Sequence, residues 1–97
     1  MNAAIRAFVI HRDGRCVIAL LDKSHICRDK WGTEHGADAS ELLTIEHVRT
    51  DPGGARRDDP LHLVAMCWRG NVDDHWGSST ENRALLNAYL AGCRTAA

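Results

Sequence analysis

The chain has 97 residues, of which 44% are hydrophobic, 26% charged and 5% aromatic. That length supports one domain over residues 1–97 rather than two, and the profile is that of a globular chain, which excludes disordered, collagen-like and membrane-spanning classes. Twelve basic residues against 13 acidic ones leave a net charge of -1, so a broad cationic grip on nucleic acid is excluded and any such contact must be local.

In the first dozen residues Ile5, Phe8 and Val9 recur at helical spacing behind Asn2, a good N-cap, which predicts a helix; a strand through Phe8 to Ile10 is the alternative. Asp13-Gly14 marks a turn, and the apolar run Arg15-Cys16-Val17-Ile18 is expected to be a short strand. From Leu20 to Gly36 no period is visible, so this reads as a loop that needs a metal or a packed neighbour to hold it. Leu42 to Val48 is rich in strand formers and stops at Asp51-Pro52-Gly53-Gly54. A second apolar run, Leu61 to Cys67, is expected to return as a turn and strand paired with the first. Ser78 and Glu81 have capping-box spacing ahead of a stripe of Leu85, Leu86, Tyr89 and Leu90, which predicts a C-terminal helix ending near Gly92.

Four cysteines (Cys16, Cys27, Cys67 and Cys93) and six histidines need an explanation in so small a chain. The start, Met1-Asn2-Ala3-Ala4-Ile5-Arg6, has no export signal, and no apolar run is long enough for a membrane helix. A cytoplasmic location without a membrane partner is therefore expected, and there disulfides rarely persist. Bound metal is the expectation ahead of plain buried thiols or disulfides, because small folds commonly add such a staple.

Glu46 and His47 close the first predicted strand, where adjacent side chains start on opposite faces unless the strand ends or bulges. The carboxylate suits a hard divalent ion and the imidazole suits a general base. His62 follows across a loop carrying Arg56 and Arg57, then Cys67 closes the second run. Asn71 and His75 come next, four residues apart, a spacing that puts two ligands on one helix face. Arg49, Arg56, Arg57 and Arg69 are the candidate phosphate contacts, with Asp58 and Asp59 partly cancelling their charge.

In this order of groups the chain resembles the HNH endonucleases, and in particular short phage-encoded HNH-like proteins, from about Arg12 to Tyr89. The matching residues are Thr44-Ile45-Glu46-His47-Val48, His62-Leu63-Val64-Ala65-Met66-Cys67 and Asn71, with Arg12-Asp13-Gly14-Arg15-Cys16 similar to the stretch before the first metal-binding cysteine of such proteins. The resemblance implies an α+β fold: a small ββα-metal core with an N-terminal helical or extended segment and a C-terminal helix. It implies phosphodiester hydrolysis, with nicking of double-stranded DNA at low sequence specificity. His47 would be the general base and Glu46 a metal ligand. His62 stands where the family usually has asparagine, and Asn71 stands at the final histidine, where His75 would replace or supplement it. The implied cofactor is a divalent ion (Mg, Mn, Ni or Zn).

Zinc-containing members often carry two Cys-x-x-Cys pairs, and neither is intact here: Ala19 and Gly70 stand three residues after Cys16 and Cys67. Cys16, His25, Cys27 and Cys67 form the candidate structural zinc site, with Cys93 as the rival fourth ligand. Trp31, Trp68 and Trp76 are expected to pack inside the fold rather than to stack on bases. A fold of this kind whose site has lost activity, binding nucleic acid only, is the alternative function; a homodimer or a phage or host protein are further candidate partners.

Overall fold

In the computed structural model residues 1–49 and 58–95 are described. Asn2 caps the first helix, α1 (Ala3–Asp13), its side chain accepting the Ile5 N–H at 2.8 Å, and Gly14 ends it in the left-handed conformation at φ 67°. The helical alternative therefore holds over the strand. Arg15 to Ile18, expected as a strand, instead leads into a short helix, α2 (Val17–Leu21), that buries Val17 and Ile18. Four apolar residues do not distinguish a strand from one buried helical turn, and here the Cys16 carbonyl accepts the Ala19 N–H and starts the turn.

Strands β1 (Leu43–His47) and β2 (Leu63–Cys67) pair antiparallel, with Leu43 opposite Cys67 and His47 opposite Leu63. All five residues of β2 are buried, as an uninterrupted Leu-Val-Ala-Met-Cys run requires, with α1 and α2 packed against it. A two-stranded sheet leaves the outer backbone groups of β2 without a partner strand. Residues 12–16 replace it with side chains. The Arg12 guanidinium donates to Leu63 O at 2.6 Å, Asp13 Oδ2 accepts the Ala65 N–H at 2.8 Å, and Cys16 Sγ accepts the Cys67 N–H at 3.2 Å. Asp13 Oδ1 also accepts the Tyr89 hydroxyl at 2.6 Å, tying the last helix, α3 (Thr80–Thr95), to α1 and the sheet. The fold is thus α+β, with a helix at each end and the two-stranded sheet between them.

Two details of α3 differ from expectation. Ser79 rather than Ser78 caps it, its hydroxyl accepting the Asn82 N–H, while the Ser78 hydroxyl donates to His75 O. Gly92 lies inside the helix, which runs on to Thr95. Leu86 and Leu90 carry its buried stripe, Tyr89 is half-buried and Leu85 faces outward. Asn71 and His75 do not share a helix face. Arg69–Asp73 form one wide π-type turn, after which His75 adopts the left-handed conformation at φ 46°. Among the described residues no helix is long and apolar enough to cross a membrane.

Candidate metal centre and candidate active site

The irregular segment after α2 carries His25 and Cys27 against the end of β2, where Cys67 meets Cys16 from the start of α2. The four ligand atoms all lie within 4.8 Å of one another, and Cys16, Cys27 and Cys67 are buried free thiols. A tetrahedral zinc with bonds of about 2.3 Å to sulfur and 2.0–2.1 Å to nitrogen needs ligand atoms roughly 3.6–3.8 Å apart. His25 Nε2 lies 3.2 Å from Cys67 Sγ and no pair of ligand atoms is more than 4.8 Å apart, so an ion seats with ligand shifts of up to about 1 Å. This Cys₃His set can hold a metal such as zinc, and the donor chemistry matches structural zinc sites. Cys93, the rival fourth ligand, is not part of the cluster.

Hydrogen bonds prepare the sulfurs. The Cys16 thiol, the Gly70 N–H at 3.4 Å and His25 together hold the Cys67 thiol down to about 4. Cys16, sharing that hydrogen bond, is pushed up in turn, and burial raises Cys27 to about 11. Three thiolates cannot be buried side by side without a cation, whereas a divalent ion deprotonates its thiol ligands. Gly70 occupies the place of the absent second cysteine of a Cys-x-x-Cys pair and contributes its N–H instead of a sulfur. The loop is docked by the His35 N–H on Cys27 O at 3.1 Å and the Arg69 N–H on Arg28 O at 3.1 Å.

A second feature lies at the far end of β1. A concavity of about 340 Å³ is lined by Glu46, His47, Arg49, His75, Gly77, Ser78 and Arg83. His47 ends its strand, and so the neighbouring Glu46 and His47 reach one cavity despite their adjacency. The His47 Nε2–H donates to Asp58 Oδ1 at 2.7 Å, which fixes the ring against a carboxylate. His75 is the only non-glycine residue with positive φ among those described, a conformation that is costly away from glycine. The Ser78 N–H and hydroxyl hold it there, donating to His75 O at 2.9 and 2.8 Å.

Of the residues singled out in the sequence, Glu46, His47, Arg49 and His75 thus come together at the concavity, and His62, Asn71 and Arg69 are not part of its lining. His62 is half-buried in the turn Pro60–His62, its carbonyl accepting the Val48 N–H one step beyond the ladder. The Asn71 amide donates to Thr44 Oγ1 at 2.9 Å and Ile45 O at 3.3 Å, fastening the π-type turn to β1. Arg69 is paired with Asp74 at 3.8 Å. Arg56 and Arg57 lie outside the described residues. Asp58 and Arg83 were not singled out as site residues. Asp58 reads as charge balance for the arginines, and no pattern in the sequence marks Arg83, which is half-buried and donates to Ser78 O at 3.1 Å. Among the described residues the cysteine-rich cluster alone brings three or more metal-type ligand atoms within 4.8 Å of one another, so Glu46, His47 and His75 at the concavity are not drawn into a closed cage.

No family model, curated protein or solved structure matches this chain.

Proposed function

We propose that the domain is a metal-dependent phosphodiester hydrolase of the HNH type acting on double-stranded DNA. The observation that carries this reading is the concavity, which brings a carboxylate, two imidazoles and two guanidiniums together at one strand end. Arg49 and Arg83 would hold phosphate oxygens and position the backbone without reading sequence. His47 would take the proton of the attacking water, and Asp58, its hydrogen-bond partner, would orient the ring and steady the imidazolium.

Glu46 and His75 are an oxygen and a nitrogen donor of the kind that leaves positions open around a magnesium, manganese, nickel or zinc ion. Such an ion, when bound, supplies charge that stabilises the phosphoryl transition state. Structural zinc at Cys16, His25, Cys27 and Cys67 would anchor the irregular loop and the end of β2, a role separate from the reaction.

Nucleic-acid binding without hydrolysis is the second reading. It is favoured by Asn71, whose amide is engaged with β1 at the position where the resemblance expects a metal ligand, and by His62, which stands apart from the concavity. Chelator-washed protein incubated with supercoiled plasmid and restored magnesium or manganese separates the two. Nicking supports the hydrolase. Retained plasmid binding without nicking under any of the metals supports the binding module.

A further inference from the structure

Trp31 is the most exposed large apolar side chain among the described residues, at 79%, contrary to the packing expected of it. Trp76, by contrast, packs against the core. Leaving an indole in water forgoes the burial that usually justifies this residue. Its turn is nevertheless tightly built. Asp29 Oδ1 accepts the N–H groups of Trp31 at 2.8 Å and Thr33 at 3.0 Å, and the Gly32 N–H donates to Asp29 O at 3.0 Å. Gly32 takes φ 81°, which a side chain would resist, and the Arg28 guanidinium donates to Gly32 O at 2.9 Å. Arg28 and Glu34 bridge the base of the turn, one residue beyond the metal-cluster ligand Cys27. The backbone that carries the ring is therefore fixed, so little main-chain freedom is lost when something covers it.

Lys30 Nζ lies over one face of the Trp31 ring, 5.0 Å from its centroid, so a partner would stack on the opposite face. The turn is otherwise polar, with Asp29 engaged in its own backbone, Thr33 alongside and Arg28 opposite Glu34 at its base. An aromatic face opposite an ammonium fits a planar base joined to a phosphate. We infer that Trp31 is a stacking site for an unpaired nucleobase, with Lys30 meeting the adjoining phosphate. This rests on the nucleic-acid part of the proposed function and is independent of hydrolysis. It equips the domain for single-stranded or locally opened nucleic acid.

The test is binding of a fluorescein-labelled oligothymidylate of about twelve nucleotides, a length within the usual site sizes, followed by anisotropy and tryptophan emission on the full chain. Wild-type protein should bind with quenched emission. Trp31→Ala should weaken binding about tenfold or more, Trp31→Phe should keep most of it, and Lys30→Ala should lose affinity chiefly at low salt. Equal affinity of wild type and Trp31→Ala overturns the inference, as does absence of oligonucleotide binding by folded wild type. A change in sedimentation of Trp31→Ala without a change in oligonucleotide affinity also overturns it, assigning the indole to a contact between copies. Plasmid nicking measured alongside keeps the two proposals apart. Trp31-dependent binding without nicking supports the stacking site while the hydrolase fails, and nicking with Trp31-independent binding does the reverse.

Discussion

Gly70→Ala adds a single methyl group beside the Cys16, His25, Cys27 and Cys67 cluster. A Cβ there would overlap Ile18 Cδ1, a side chain with no exposed surface, while standing at ordinary contact distance, 3.5 Å, from both Cys67 Sγ and His25 Cε1. The strain therefore falls on Ile18 and not on the ligands. Overpacking a closed core by one group costs about 1–3 kcal/mol. The overlap with Ile18 Cδ1 is severe, which puts the cost in the upper part of that range, about 2–3 kcal/mol. Alanine recovers roughly 0.5–1 kcal/mol of backbone entropy in a helical turn, leaving a net loss of about 1–2.5 kcal/mol. For a domain of this size that lowers the melting temperature by roughly 5–15 °C. Zinc content, measured by mass spectrometry under native conditions, should not change. Ile18→Val removes the overlapping methyl and alone costs about 0.5–1.5 kcal/mol. The double variant should be more stable than Gly70→Ala, a coupling readable from a thermal double-mutant cycle. Strict additivity, or a Gly70→Ala variant as stable as wild type, would refute the packing argument.

Three further outcomes can be measured. Stripping metal with a chelator, or Cys27→Ser, should lower the melting temperature by roughly 10 °C or more by calorimetry, since metal binding and folding are coupled, and an unchanged transition would count against a structural ion. Tyr89→Phe removes one of the donors to the buried Asp13 carboxylate and should cost about 1.5–3 kcal/mol in urea titration without altering zinc content. Arg49→Ala should weaken plasmid binding and reduce its salt slope by about one, the signature of one lost phosphate contact; an identical slope would remove Arg49 from the interface.

Much of the fold is legible in local chemistry. Asn2 and the spacing of Ile5 and Val9 indicate α1, and the Leu-Thr-Ile and Leu-Val-Ala-Met-Cys runs indicate the paired strands. The zinc candidates were legible because His25 and Cys27 share a segment in which no helix or strand period is visible, even without an intact Cys-x-x-Cys pair. The remainder depends on tertiary context. Residues 12–16 give no sign that they satisfy the outer edge of β2, a role visible only when Arg12, Asp13 and Cys16 lie along it. His47 and Asp58 pair across a separation of 11 residues, and no local pattern encodes it. Trp31 fails the ordinary expectation for tryptophan because its turn is closed by Asp29 and Gly32 rather than by packing of the ring. Asn71 and His75 were separated by a π-type turn and a left-handed residue, neither of which their spacing reveals.

The most direct test of the proposed chemistry is the single-turnover nicking rate of supercoiled plasmid by wild type and His47→Ala, with the same restored metal and matched circular dichroism spectra. Loss of the general base should slow nicking by about 100-fold or more while plasmid affinity stays near wild type. Equal rates in the two proteins would contradict the assignment of His47 and, with it, the mechanism placed in the concavity.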